Sequence, residues 1–488
     1  MTRRKSIKTN YLYNLSYTLL NTALPLLTAP YLARVVGAEG VGVFAYNYAI
    51  AHFFYIFAKL GLNNYGTRQI SSYRDSEKLS KVFSSIFYQQ LITATFANVI
   101  YWVYVLLILQ NTNKIYAAIL GVLVFASFFD IDWLFSGLEQ FKSISRKNIF
   151  VKTLSVFLIF LLVKSPNDLW KYTLLMSCSM FFGYLSMWLH LRKVVTFTKV
   201  SSHDIFFHLK PNLILVIPVF AISVYRQMDK VMLGSMATMA ETGFYENAEK
   251  IIYALCGFIT AFGTVMMPRI TNMIAKGQEK ESNKYLTLSM QFMMSLMFAM
   301  TFGLMSIADD LTIILFGIKF SGSSSLMKAL SITIPFIGWA NVIRSQVVIP
   351  RGKDKIFIVT VFSGAIINLI VNALLIPQMG AMGAVIGTIC AEVSIPIVQF
   401  IILRKELDYI RLTKKCLFAP VCGGIMFVIV TFAKNIPLTG IKLLLIQITI
   451  GIIVYTILTS SYIFVFEKPL VDMLLLKRKS KNNNKETA

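Results

Sequence analysis

Charge is what this sequence of 488 residues has least of. Asp, Glu, Lys and Arg together make up 14%, where a water-facing surface needs roughly 25%. Length alone would suggest about three soluble domains, but too few charges exist to coat them. Cysteine is also scarce and odd in number: Cys178, Cys256, Cys390, Cys416 and Cys422. No two form a C-x-x-C pair, which excludes a disulfide framework or a zinc knuckle and leaves them as small apolar residues. The motifs of common enzymes are missing: there is no nucleophile elbow, no Walker A and no H-E-x-x-H. His203 and His208 are five apart, the wrong spacing for shared metal ligation on a helix, so no metal site is expected. Gly37-x-x-Gly40-x-Gly42 follows an apolar run rather than a strand, so it reads as a turn and not as a phosphate loop.

What is present is apolar. Hydrophobic residues are 56% of the chain, with 38 Phe and 22 Tyr, and the mean hydropathy is +0.66. That composition excludes disorder and points to an all-α integral membrane protein. A helix needs about 20 apolar residues to cross the hydrocarbon core. Such runs fall near 11–33, 42–62, 84–109, 115–137, 148–163, 168–190, 211–234, 245–267, 286–308, 325–349, 356–376, 382–403, 415–433 and 441–465. About 14 transmembrane helices are therefore expected. The short polar alternation of a membrane β-barrel is absent. The first run is too long for the core of a cleavable signal, so it is expected to stay as the first span.

The basic residues set the orientation. With the N-terminus in the cytoplasm and sides alternating, 34 of the 47 Lys+Arg fall on inner segments and 10 on outer ones. This meets the positive-inside rule along the whole chain, with both termini cytoplasmic. The basic clusters are thus topology signals and not a nucleic-acid surface, and the Lys477–Lys485 tail reads as a cytoplasmic segment near anionic lipid.

A shift of 201 residues superimposes the first span on the seventh, Gly42 on Gly243 and Arg68 on Arg269. Six spans per repeat make the halves parallel repeats, an arrangement that places a transporter's substrate between them. The expected domains are residues 1–205 and 206–405, each a six-helix bundle, with 406–488 adding two helices and the tail.

Ionisable residues in spans are costly, roughly 2.5–3.5 kcal/mol each at the bilayer centre, and so mark candidate sites. The candidates for binding an anionic cargo are Arg34, Arg68, Arg226, Arg269, Arg344 and His52, since a guanidinium fork suits phosphate. The competing reading for the arginines at span ends is snorkelling to the interface. Arg226 with Asp229, and Glu246 with Lys250, are spaced to pair along a helix. Asp229 and Glu392 are the candidates for ion or proton coupling, Glu392 competing with a role as interhelical glue. Gly380-x-x-Gly383 and Gly383-x-x-x-Gly387 allow close helix approach.

Several stretches resemble the Wzx-type polysaccharide flippases of the multidrug/oligosaccharidyl-lipid/polysaccharide (MOP) exporter superfamily. They are Ala29–Gly37 with Glu39–Gly42, Tyr65–Arg68, Asp130–Lys142, Gln227–Gly234, Asn368–Asn372, and Ile376–Pro377 with Gly380–Glu392. The resemblance implies two six-helix bundles facing a cavity, usually with two extra helices. It implies flipping of an undecaprenyl-diphosphate-linked oligosaccharide from the inner to the outer leaflet of a bacterial plasma membrane, for capsule, exopolysaccharide or O-antigen assembly. A polysaccharide polymerase and glycosyltransferases would be its pathway partners. No cofactor is expected, and coupling to a proton or sodium gradient stays open. A multidrug or cation exporter of the same superfamily is the alternative, but Tyr11–Ala33 carries no carboxylate. A membrane polymerase is a weaker alternative, because the outer loops are short and Asp309-Asp310 is their one carboxylate pair.

The topology predicts that cysteines placed at Ser76 and Ser165 label from opposite sides of the membrane with an impermeant thiol reagent. Labelling from one side would break the fourteen-span assignment.

Overall fold

The computed structural model describes the backbone of residues 7–109 and 111–466, and the side chains of residues 24–465 except at 110–112 and 141. The N-terminal Met1–Ser6 and the basic tail lie outside the described residues. Among these residues the structure is helical, without strands. In order the helices are α1 (Ile7–Lys59), α2 (Leu62–Ser72), α3 (Leu79–Val103), α4 (Asn111–Phe125), α5 (Asp132–Gly137), α6 (Phe141–Leu162), α7 (Leu169–Leu191), α8 (Ser202–Phe207) and α9 (Leu209–Met236). They continue as α10 (Met239–Ala275), α11 (Glu279–Phe316), α12 (Gly322–Ser331), α13 (Thr333–Ile343), α14 (Asp354–Met379), α15 (Ala381–Leu403), α16 (Tyr409–Cys416), α17 (Phe418–Phe432) and α18 (Gly440–Phe466).

Each of the fourteen expected runs lies on helix. Eleven helical segments are long and apolar enough to cross a membrane. One of them holds the first two spans, joined without a loop at Gly37, whose φ of 74° and ψ of 178° break the helix. A positive φ is open to glycine at little cost, so this residue turns the chain directly from one span into the next. Among the described residues the two remaining spans are the shorter apolar helix Asn113–Phe128 and α6, which is long enough at 22 residues but carries Lys142, Arg146, Lys147 and Lys152. Outward-facing residues such as Phe96, Leu107, Leu189 and Phe432 are exposed, as expected where the solvent is lipid tail.

The chain packs as two compact units. The first comprises the chain up to Ala254 with Phe316–Leu326 and Val361–Ala391; the second comprises Leu255–Leu315, Met327–Thr360 and the chain from Glu392. The core of the first unit gathers Tyr65, Phe83, Trp133 and Phe135 between α2, α3 and α5. Gln90 satisfies the buried Trp133 indole at 2.9 Å and the Ser127 carbonyl at 2.7 Å. In the second unit the last two helices pack on α11. Phe418 stacks on Tyr462 at 4.3 Å, Tyr455 Oη donates to the Ser295 carbonyl at 2.7 Å, and Gly423 faces Phe302.

The repeat is visible as a physical contact inside the first unit. A Cβ on Gly42 would lie 1.7 Å from the carbonyl oxygen of Met239, and one on Gly243 would lie 2.0 Å from that of Ala38. Residues 38 and 239, and 42 and 243, are equivalent under the 201-residue shift. The two copies of one motif therefore meet backbone to backbone, each glycine against the other copy's carbonyl, as a local two-fold axis requires.

Gly42→Ala must push α1 away from α10, a backbone displacement costing roughly 1–3 kcal/mol or more. Gly424 has nothing within 4 Å of its Cβ position, so Gly424→Ala serves as the control. Thermal unfolding in detergent should show a lower midpoint for Gly42→Ala and none for Gly424→Ala. Equal midpoints would mean that the tight glycine contact does not form.

Candidate functional site

After Gly37, α1 carries Phe44, Tyr48, His52 and Tyr55 at helical spacing, so their rings share one face. The rings stack in series, with centroids 5.4, 5.8 and 6.2 Å apart. Tyr55 continues the series onto Tyr184 of α7, 6.3 Å between centroids, with the two hydroxyl oxygens hydrogen-bonded at 2.8 Å. His52 is thus a rung of an aromatic ladder, and its buried Nδ1 has no hydrogen-bond partner among the described atoms.

Beside this ladder, residues of α1, α5, α6, α7 and α10 enclose a cavity of about 380 Å³. Tyr48, Tyr172 and Tyr184 line it together with Asp132, Asn148, Lys147, Lys152 and Lys250. The wall is otherwise largely apolar, with Leu24, Leu32, Val151 and Ile159 on it, and its charges are three ammonium groups to one carboxylate. Lys147 grips both oxygens of Asp132, at 2.8 and 2.7 Å. Next to it Lys59 pairs with the buried Asp130, which also accepts from Tyr55. These pairs neutralise four charges where helices cannot leave them unsatisfied.

Two further polar clusters sit where α9 meets α10. Lys230 pairs with Glu249 at 2.8 Å and with Glu246 at 3.2 Å, and Glu246 pairs in turn with Lys250 at 3.0 Å. The expected bridge between Glu246 and Lys250 is thus formed, as part of a four-charge ladder that ends at the cavity. The expected pairing of Arg226 with Asp229 gives way to another arrangement. Asp229 is buried and accepts from Tyr245 Oη at 2.5 Å, Asn372 Nδ2 at 2.5 Å and Thr388 Oγ1 at 3.0 Å. Arg226 is exposed, its guanidinium 5.8 Å from the Tyr253 ring. Neutral donors at short range out-compete a side chain that can reach the surface, because an unsatisfied buried donor costs about 1–3 kcal/mol.

The groups around Asp229 are hydroxyl or amide: Tyr245, Thr388 and Asn372, whose amide also donates to Asn368 Oδ1 at 3.2 Å. Such a hard set suits a proton or a small hard cation in place of the amide and hydroxyl protons. The glycines of α15 build it. Gly383 lies against the backbone of Leu375, and a Cβ on Gly387 would be 1.9 Å from Asn372 Oδ1. The close approach expected from the small-residue spacing thus holds α15 against α14 and seats Asn372 on Asp229.

The remaining candidates are dispersed. In the first unit Arg34 is exposed, and Arg68 is exposed beside the Tyr65 ring at 5.9 Å. In the second unit Arg269 is exposed, packs 4.2 Å from the Tyr285 ring centroid and bonds its hydroxyl. Arg344 lies 5.4 Å from the Phe357 ring, and Glu392 is buried. None of the five arginines lines the cavity, whose cations are lysines. Lys152 and Lys250 were legible as charges inside spans, and the sequence offered Lys250 its bridge to Glu246. Within α11, Asp309 pairs with Lys328 and Lys434, at 2.6 and 3.0 Å, and Asp310 accepts from Gln447 at 3.4 Å.

Comparison with known proteins agrees with this architecture. Residues 7–274 match the family described as "Polysaccharide biosynthesis protein". The chain is 26% identical over 378 residues to the "Putative O-antigen transporter" of Shigella dysenteriae, spanning 77% of this chain and 94% of that one. It is 24% identical over 289 residues to the protein of the same description from Escherichia coli, spanning 57% and 68%. Among solved structures it is similar to the lipid II flippase MurJ in an inward closed conformation, with TM-score 0.75 and 16% identity over 93% of this chain and 99% of that one. It is also similar to an inward-facing multidrug resistance MATE family transporter of the MOP superfamily, with TM-score 0.57 and 14% identity over 83% and 98%. At these identities the structural likeness is one of fold.

The Asp229 cluster predicts graded effects on stability. Asp229→Asn keeps an acceptor oxygen and should fold near normally, whereas Asp229→Leu strands three buried donors at roughly 1–3 kcal/mol each. Thermal unfolding of the two variants checks this, and equal midpoints would show that the cluster carries no such load.

Proposed function

The chain belongs to the polysaccharide biosynthesis protein family, and on that premise we propose that it flips a lipid-linked oligosaccharide across the bacterial plasma membrane. The cargo is an undecaprenyl-diphosphate-linked repeat unit, moved from the inner to the outer leaflet by alternating access for cell-surface polysaccharide assembly. Both termini are cytoplasmic in this reading. The observation that carries it is the cavity between α1, α6, α7 and α10, where three tyrosines, Asn148 and three lysines stand on a largely apolar wall inside a bundle whose outer face is apolar. Flat apolar faces on Tyr48, Tyr172 and Tyr184 suit sugar rings, and the amide and ammonium groups suit hydroxyls and anions. The polyprenyl tail, which needs no cavity, stays in the bilayer.

The charge of the cavity favours this over export of a drug cation. Three lysines and one aspartate would repel a cation, and the aspartate is already held by Lys147. The exposed arginines, Arg34, Arg68, Arg226 and Arg269, and the half-buried Arg344 are diphosphate ligands along the path in this reading, and the Asp229 cluster takes the coupling proton or sodium ion. Glu392 keeps its role as a second coupling candidate.

A fluorescent undecaprenyl-diphosphate-linked oligosaccharide reconstituted with the full chain in liposomes tests the proposal. Its quenching by an impermeant reductant should rise from about half, the outer leaflet alone, toward completion as the lipid exchanges leaflets. Asp229→Asn should abolish the dependence of this exchange on an imposed ion gradient. Unchanged half-quenching with the wild-type chain, in the presence and absence of a gradient, would contradict the assignment.

A further inference from the structure

A second cavity, of about 800 Å³, lies wholly within the second unit, between α11, α13, α15 and α16. The flippase reading gives it no role. Phe298, Met305, Phe336 and Pro396 are typical of its wall. Ile397, Phe400 and Ile410 also line it and are exposed. The cavity is therefore open to the surroundings of the bundle, which at that depth are lipid tails. Along α11 its lining runs from Met294 to Met305, about 16 Å at the rise of an α-helix. That is about half of the roughly 30 Å hydrocarbon core, the depth of one leaflet.

One end of the cavity is polar. There α16 supplies Thr413 and Lys414, and α13 supplies Trp339. Tyr409 marks the same end, its ring 6.3 Å from that of Trp339 and 5.1 Å from that of Phe400, its hydroxyl donating to the Gln399 carbonyl at 3.2 Å. Among the described residues, the Lys414 ammonium, the Thr413 hydroxyl and the Trp339 indole N–H have no partner in the protein. The two carboxylates just before α16 are engaged elsewhere. Glu406 holds Arg351 and Lys353, and Asp408 caps α16 by accepting from the Arg411 N–H at 3.0 Å. The helix itself carries Arg411, Lys414 and Lys415 without an acidic residue, and buries Tyr409, Leu412 and Cys416. That is the pattern of a short helix lying in the membrane interface.

We propose that this cavity binds one anionic phospholipid, with an acyl chain between α11, α13 and α15 and the headgroup phosphate on Lys414, Thr413 and Trp339. The apolar depth fits a chain of one leaflet, and the three free donors fit a phosphate. A lone ammonium without a carboxylate selects a headgroup of net negative charge, since a zwitterionic one brings its own ammonium. An undecaprenyl chain is much longer than the cavity, so the occupant is a resident lipid rather than cargo.

Photolabelling of the full chain in lipid nanodiscs tests the site. The probes are a phosphatidylglycerol with a diazirine midway along one acyl chain and the phosphatidylcholine with the same chains. Peptide mapping should place the phosphatidylglycerol label on α11, α13 or α15 at the cavity, several-fold above the phosphatidylcholine label. Lys414→Gln, an exposed change, should lower the phosphatidylglycerol label about fivefold, the scale of one interfacial lysine, and leave the phosphatidylcholine label unchanged. Ile397→Trp, which fills the cavity, should remove both labels. Equal labelling of wild type by the two lipids, or equal phosphatidylglycerol labelling of wild type and Lys414→Gln, would overturn the headgroup site. Displacement by undecaprenyl phosphate at concentrations where unlabelled phosphatidylglycerol does not compete would overturn the resident lipid in favour of cargo. Absence of label at the cavity would overturn the proposal outright. None of these outcomes measures transport, so the flippase reading stands or falls separately.

Discussion

Every notable feature of this protein follows from burying charge in a bundle that faces lipid. An unpaired charge in the bilayer costs several kcal/mol, so each buried ion must find a partner on another helix. The contact of α9 with α10 is where this requirement is met most densely. Lys230, Glu246, Glu249 and Lys250 share their charges there, and Asp229 next to Lys230 recruits Tyr245, Asn372 and Thr388. Because Asp229 and Lys230 are consecutive, as are Tyr245 and Glu246, the two clusters rest on the same pair of helices. A movement of α10 against α9 must disturb both together.

The glycines make such packing possible. Gly42 and Gly243 bring the two copies of the repeat into backbone contact, Gly383 and Gly387 bring α15 onto α14, and Gly37 turns one span into the next. At four of these positions a side chain would meet a backbone or amide oxygen within 2.5 Å. Only at Gly37 is conformation rather than space the reason. A bundle held this closely can keep polar groups in reach of one another without water, as the membrane interior demands.

Much of this was legible in the sequence because the membrane imposes simple rules. Span length, basic loops and the 201-residue shift each reflect one constraint acting on neighbouring residues. The helices, their number and the meeting of equivalent glycines follow from them. The Glu246–Lys250 bridge was also legible, being one helical turn apart. What the sequence concealed was choice among distant partners. Asp229 has Arg226 one turn away, yet takes Asn372 and Thr388, 143 and 159 residues further along. His52 stood among the candidate anion ligands, and its neighbours along the same helix turn it into a rung between Tyr48 and Tyr55. Arginines drew attention as anion ligands, but the cavity is lined by Lys147, Lys152 and Lys250, of which the sequence singled out only Lys250, as the partner of Glu246.

The central claim is that the cavity between α1, α6, α7 and α10 receives the glycan headgroup. Electron cryomicroscopy of the full chain in nanodiscs, with a bound lipid-linked oligosaccharide, tests it most directly. Sugar density should lie against Tyr48, Tyr172 and Tyr184. Well-resolved cargo density elsewhere, with this cavity filled only by lipid chains or by its own side chains, would contradict it.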